Sequence, residues 1–325
     1  MPDYEASEID LGPWRWTLNE YVLRCEDGAD VREILVEGEI DRDVFGDAVA
    51  RWKADVCVLD GDYLDVSIDE IVAAGYTPGV KGALLTVATA LNVALDNGRL
   101  RAFVTVIVDR DYDDGLFQEA RGTLLVTDRH SIESYAFSPN ALGRFLMVAL
   151  GRVSLPTGAK GAAPSRRTTT TGQDVYDRIR PAAAQMAAVR MVVRELTDPP
   201  GIFERWLDYA KVSSDGVLDL NGAKLLKTVL GAACREEEYS SIETRLHENF
   251  ELAHSDPPRW VRGHDFVEMT MKLCRSRWGR QIAGVHGKMT ERAFARQLLL
   301  SVNPTELDAM PLFAELRGRV RTAVS

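Results

Sequence analysis

Apolar residues come in two rhythms along this chain. In the first half, short continuous runs alternate with longer stretches in which apolar residues recur every three or four positions. The runs 33–36 (EILV), 55–59 (DVCVL), 102–108 (AFVTVIV) and 123–126 (TLLV) predict buried strands. Helices are expected near 41–53, over 80–96, and again after Asp128. The second of these stops at Asn97-Gly98, a good helix end. Continuous apolar strands separated by helices indicate a parallel sheet covered on both faces. Right-handed crossovers would bring the carboxyl ends of its strands to one edge.

The rhythm changes near residue 154. The stretch 154–172 (SLPTGAKGAAPSRRTTTTG) is rich in Gly, Pro, Ser and Thr and reads as a linker or exposed loop. Beyond it, helical periodicity dominates, near 174–196, 202–211, 221–235, 240–254, 264–278, 289–302 and 311–323, with room for a short strand around 216–220. The expected fold class is α/β. A parallel-sheet domain over 1–153 and a linker over 154–172 precede a mainly helical region over 173–325.

Composition narrows the chemistry. The 325 residues carry a formal net charge of −10, which argues against indiscriminate nucleic-acid binding but permits a local basic groove. Candidate basic clusters are Arg166-Arg167, Lys272/Arg275/Arg277/Arg280 with Trp278 interleaved, and Arg317/Arg319/Arg321. Cys25, Cys57, Cys234 and Cys274 lack zinc-site spacing and read as buried thiols in a reducing compartment. The first residues lack a signal-peptide pattern, and no stretch approaches ~18 uninterrupted apolar residues. A soluble cytoplasmic protein without a membrane partner is expected. No GxxxxGK[ST] loop is present, so a nucleotide-hydrolysing motor is disfavoured.

The strand-carboxyl edge concentrates acid. The first strand ends in Glu37-Gly38-Glu39-x-Asp41, the strongest strand in Asp109-x-Asp111-x-Asp113-Asp114, and the next in Asp128, with Glu133 five residues on. In an extended segment, residues i and i+2 face the same side, so Asp109 and Asp111 could present two carboxylates to one cation. Mg²⁺ or Mn²⁺ suits such oxygen donors, and crowded carboxylates without a cation repel each other. Gly38 removes a Cβ where the chain turns. Asp41 also reads as a helix cap, Asp113 and Asp114 as turn formers, and Lys81 as either a phosphate contact or a solvated helix-start residue. His130 flanks the acidic edge, with a ligand or acid/base role set against a bland one.

These residues carry a resemblance. The run 34–41 (ILVEGEID), followed by Phe45, resembles the first Toprim motif, and 104–113 (VTVIVDRDYD) resembles the second. The run 125–135 (LVTDRHSIESY) is similar to a signature of a Toprim-related family of domains of unknown function. That family includes the nuclease effector of the PARIS anti-phage defence system, and more distantly it resembles OLD-like Toprim nucleases. Residues 260–266 (WVRGHDF) are similar to its late motif, with His264 where lysine is commoner, and Gly79-Val80-Lys81 to its glycine–lysine turn.

The resemblance implies a Toprim-like fold and metal-dependent hydrolysis of DNA or RNA, tRNA among the candidates. Glu37, Asp109 and Asp111 would be the catalytic and metal-linked carboxylates, with Mg²⁺ or Mn²⁺ as cofactor. Asp128 and Glu133 would help with a second cation, and Gly38, Asp41, Lys81 and His130 would be supporting or phosphate-binding residues. It further implies an ABC-type ATPase partner and pairing of two copies. Two readings stand against it: a non-catalytic binding subunit of an ATPase complex, and a DxD metal-dependent glycosyltransferase, which leaves the Glu37-Gly38 turn unexplained.

Overall fold

The computed structural model describes residues 15–148, 172–196, 206–230, 236–279 and 289–324. Its main sheet has four strands, β2 (Arg32–Val36), β3 (Cys57–Asp60), β5 (Phe103–Val108) and β6 (Leu124–Val126). They lie in the order β3-β2-β5-β6, and all pair in parallel. Two short strands, β1 (Trp16–Thr17) and β4 (Leu64–Asp65), form a separate parallel pair. The expected α/β class with a parallel sheet and a helical C-terminal region is what the chain adopts.

The strands are buried runs because helices flank them. Ile34, Leu35 and Val36 of β2 and Val106, Ile107 and Val108 of β5 are almost wholly withdrawn from solvent. Each such side chain contributes roughly 1.5–3 kcal/mol relative to exposure. Helix α1 (Leu18–Asp27) packs on α4 (Val80–Asp96), α4 on β5, and α2 (Glu39–Trp52) on β3. Helix α1 starts at a capping box, in which Thr17 and Glu20 bond each other's backbone N–H groups. At the start of β2, buried Glu33 accepts two bonds from Arg24 and one from Tyr21, so its charge is fully matched.

The chain falls into two compact units. One draws on residues up to Val108, Glu119–Val126 and Leu316 onward; the other on Asp109–Gln118 and Thr127–Glu315. This differs from a division at residue 153. The partition runs through the ends of β5 and β6, because the segments that follow them pack with the helices of the second unit. The stretch 154–171 lies outside the described residues.

In the second unit the main helices are α6 (Pro139–Val148), α7 (Gly172–Leu196), α9 (Glu236–Ser255), α11 (Gly263–Arg275) and α12 (Glu291–Leu300). Between α9 and α11 lies the single turn α10 (Pro257–Trp260), and a 3₁₀ turn, Ile132–Ala136, precedes α6. Of the helix expected over 202–211, residues 206–209 form a 3₁₀ turn and the chain then becomes strand. Ala210–Val212 (β7) pairs antiparallel with Leu218–Leu220 (β8), which lies in the 216–220 stretch where a short strand is expected. Among the described residues no helix is long and apolar enough to cross a membrane.

Candidate functional site

In the first unit, β2 runs out at Val36 and the chain turns through Glu37 and Gly38 directly into α2. Glu39 is the first helical residue rather than part of the turn, and Gly38 stands at the cap position. Asp41 therefore lies inside the first helical turn, where its carboxylate accepts the Gly38 N–H at 3.0 Å. This confirms a capping role, in a register two residues earlier than the periodicity suggested. Gly38 itself is extended, and a Cβ there would meet only Asp41 at an ordinary 3.5 Å. Packing does not demand a glycine at that turn.

The packing does demand one at Gly61, just past β3. A Cβ there would come within 2.4 Å of Val80, and it would sit 3.7 Å from the Glu37 carbonyl oxygen. Asp60, opposite Val36 in the sheet, is a further acid at the same strand edge that the strand prediction stopped short of. It is buried and paired with Arg42 at 2.5 Å, which marks it as structural. Lys81 lies in the first turn of α4, after Gly79, whose φ of 143° favours glycine.

The second unit holds the segment after β5. The strand stops at Val108, and Asp111 has a left-handed φ of 51°. Strand alternation therefore does not carry through the DxD, and the i, i+2 argument for two carboxylates on one side does not apply beyond Val108. A turn takes its place. The Asp113 N–H donates to the Arg110 carbonyl oxygen at 3.0 Å, and Asp113 accepts the Leu116 N–H at 2.9 Å, the turn-forming role expected of it.

Tertiary contacts fix this turn. The Arg110 N–H donates to Thr127 Oγ1 at 2.9 Å, and the Asp111 N–H to the His130 carbonyl oxygen at 2.9 Å. Arg110 bonds Asp114 through Nε and Nη2 at 3.0 and 2.5 Å, with its guanidinium over the Phe117 ring. Arg259 donates from Nη1 to the Asp111 carbonyl oxygen at 2.8 Å and from Nη2 to Asp114. Burial alone would raise the Asp114 pKa; the bonds from Arg259 and Arg110 outweigh it and hold the carboxyl below its ordinary value. The Asp111 side chain is 44% exposed, and one of its oxygens lies 3.7 Å from His130 Nδ1.

His130 is buried, edge-on to Tyr112 at 4.6 Å between ring centroids. The Tyr112 hydroxyl is buried with no hydrogen-bond partner among the described residues, and burial pushes its pKa up.

The segments 127–135 and 257–265 clasp each other. Asp128 accepts a bond from the Tyr135 hydroxyl, whose pKa is raised chiefly by burial. Ser131 donates to Glu133 at 2.9 Å and accepts the Gly263 N–H at 3.2 Å, while Ser134 donates to the Val261 carbonyl oxygen at 3.1 Å. At Gly263 a Cβ would come within 2.3 Å of Ser131 Oγ and 2.6 Å of Glu133 Oε2, so this close approach requires glycine. His264, 57% exposed, lies 3.6 Å from Glu133 and 3.4 Å from Glu291. Asp265 is buried in a two-bond pair with Arg190 of α7, at 2.6 and 2.7 Å. Asp128, Glu133 and Asp265 all have internal partners.

The basic clusters are partly structural. Lys272 donates to the Leu207 carbonyl oxygen and Arg275 to that of Met289, Trp278 packs under Arg178, and Arg319 bonds the Gly122 carbonyl oxygen. Arg166, Arg167, Arg280 and Cys234 lie outside the described residues. Cys25 and Cys274 are buried as expected, whereas Cys57, at the start of edge strand β3, is exposed.

Asp109 and Asp111 are oxygen donors of the type Mg²⁺ takes, with water completing its shell. Among the described residues no group of three or more His, Cys, Asp or Glu side chains is gathered to hold a metal. The donor chemistry thus fits a cation held by two carboxylates and water, not a closed protein cage. No family model matches the chain, and no curated protein matches it.

Proposed function

We propose that the chain is a metal-dependent nuclease of Toprim type, a cytoplasmic effector of anti-phage defence that works with an ABC-type ATPase. One observation carries the reading. The neighbouring parallel strands β2 and β5 each run directly into an acid, Glu37 after Val36 and Asp109 after Val108, and the turn after β5 offers the exposed Asp111 carboxylate. A bound Mg²⁺ or Mn²⁺ supplies polarisation of a phosphodiester and stabilises charge on its leaving oxygen. Asp109 and Asp111 would hold that cation. The resemblance gives Glu37 the task of orienting a water or taking its proton, and Lys81 that of a phosphate contact. Asp128 and Glu133 each accept one side-chain hydrogen bond, from Tyr135 and Ser131, and the resemblance gives them a supporting part at a second cation.

That internal use of acids also favours a second reading, a binding subunit without catalysis. The full chain, incubated with Mg²⁺ or Mn²⁺ and plasmid, single-stranded DNA or folded RNA, separates the two. Cleavage by the native protein, lowered at least a hundredfold in Glu37→Ala and Asp109→Ala, is the expected result. Cleavage that survives both substitutions overturns the assignment. Silence on every substrate, with Mn²⁺ binding absent by calorimetry, favours the binding subunit.

A further inference from the structure

Asp111 sits in a conformation that a non-glycine residue adopts at a cost of order 1 kcal/mol unless its surroundings hold it there. The surroundings here converge on its two backbone groups. Its N–H donates to the His130 carbonyl oxygen, and its carbonyl oxygen accepts Arg259 Nη1. The second arm of Arg259 reaches Asp114 at the far end of the turn, and its guanidinium carbon lies 4.2 Å from the Trp260 ring centroid. Next to it, the Pro258 carbonyl oxygen accepts the His130 N–H at 3.1 Å. The single helical turn α10 thus holds both Asp111 and the residue to which Asp111 bonds, from almost 150 positions along the chain. The Arg259 side chain is only 8% exposed, so its end of both bonds is withdrawn from water, whereas the Asp114 carboxylate is about half exposed.

We propose that Arg259 is a positioning residue, a clamp whose two-armed hold on the Asp111 carbonyl oxygen and the Asp114 carboxylate sets the shape in which the Asp109–Asp111 turn receives a divalent cation. The proposal rests on the nuclease reading for its purpose but not for its geometry. Guanidinium suits this task because its rigid fork addresses two acceptors at once; an ammonium serves one. The role proposed for Arg259 requires contact with neither substrate nor cation. It acts by denying Asp111 the right-handed and extended conformations into which the carboxylate would otherwise swing.

The test compares the full-length protein with Arg259→Gln, Arg259→Lys and Asp114→Asn. Two readings are taken: Mn²⁺ affinity by calorimetry, and hydrogen exchange of the Asp111 amide. Arg259→Gln is expected to weaken Mn²⁺ at least tenfold and to speed exchange at Asp111, with Arg259→Lys in between. Asp114→Asn leaves the bond to the Asp111 carbonyl oxygen in place but weakens the second arm, so it should weaken Mn²⁺ by less than Arg259→Gln does. Native affinity in Asp114→Asn would confine the clamp to the arm on Asp111 and overturn its two-armed form. Native Mn²⁺ affinity in Arg259→Gln overturns the positioning role, even if exchange there is faster. If the native protein binds no Mn²⁺, the nuclease reading fails, and exchange alone decides the clamp: faster in Arg259→Gln supports it, unchanged sinks it. Should Arg259→Gln fail to fold, the same readings on Arg259→Lys decide.

Discussion

Two acidic strand exits, built from similar letters, are held by opposite means. The exit from β2 has a local cap: Gly38 is answered by Asp41 three residues on, and the next helix begins at once. The exit from β5 is held from a distance. Its turn takes support from Thr127, from the His130 carbonyl oxygen and from Arg259, 17 to 148 positions away. A locally capped carboxylate is placed by its own helix. A carboxylate on a remotely held turn is placed by the whole helical unit, so distant substitutions can reach it.

The largest expected effect comes from a buried pair within the helical unit that holds the second exit. Asp265→Ala would leave Arg190 buried without its carboxylate, at a cost of about 3–5 kcal/mol. Urea unfolding of the full chain, followed by a probe of the helical unit, measures it. A loss under about 1 kcal/mol would mean that remote support contributes no more than a local cap, and the contrast would collapse.

Asp114→Asn comes next. The Asp114 side chain is about half exposed, so screening limits its ion pairs with Arg110 and Arg259 to about 1 kcal/mol near neutral pH. The pH dependence has a definite sign. The folded-state pKa is lowered, so the unfolded chain binds more protons in the acid range. The contribution is complete above the unfolded value of about 4 and fades as pH falls through the lower folded value. The stability gap between native and Asp114→Asn proteins should therefore close in acid. A gap that instead widens below about pH 4 would remove the Asp114 ion pairs from the account of this turn.

On the local side, Asp41→Ala removes one cap bond and a favourable charge at the start of α2, costing about 0.5–1.5 kcal/mol. Thermal unfolding of the first unit reads it, and exchange at the Asp111 amide should not change.

How much of this was legible follows the same divide. Helix α4 was read to both ends, since apolar spacing and the Asn97-Gly98 stop are local signals, and β5 was read to its last residue. The start of α2 was missed by two residues because its cap is a glycine, which has no side chain to announce it. Of the β7–β8 pair, β8 falls in the 216–220 stretch read as room for a short strand, whereas β7 was hidden at the end of a helical pattern, because three residues are too few for period two to show. At the candidate site, the acids were visible one by one, but their partners were not. Nothing in the sequence ties Asp114 to Arg259, Glu133 to Gly263, or Asp265 to Arg190, all pairings across 75 positions or more. Nor does apolar patterning announce that a DxD leaves the strand at its first residue and turns left-handed at its third.

The smallest effect on stability is also the sharpest test of the remote exit. Asp111→Gly puts the residue best suited to φ of 51° at a position where aspartate carries strain. The relief is partly offset by the greater freedom of glycine in the unfolded chain, so the net change should be stabilising or neutral, within about 1 kcal/mol. The backbone bonds to His130 and Arg259 need no side chain and should survive. Mn²⁺ affinity and any nuclease activity should nonetheless fall sharply, because the exposed carboxylate is gone. A variant as stable as the native protein yet unable to bind Mn²⁺ would mean that aspartate is held there for its chemistry. A variant destabilised by 2 kcal/mol or more would mean that the carboxylate itself supports the turn, and the distinction between a supporting frame and the acid it presents would fail.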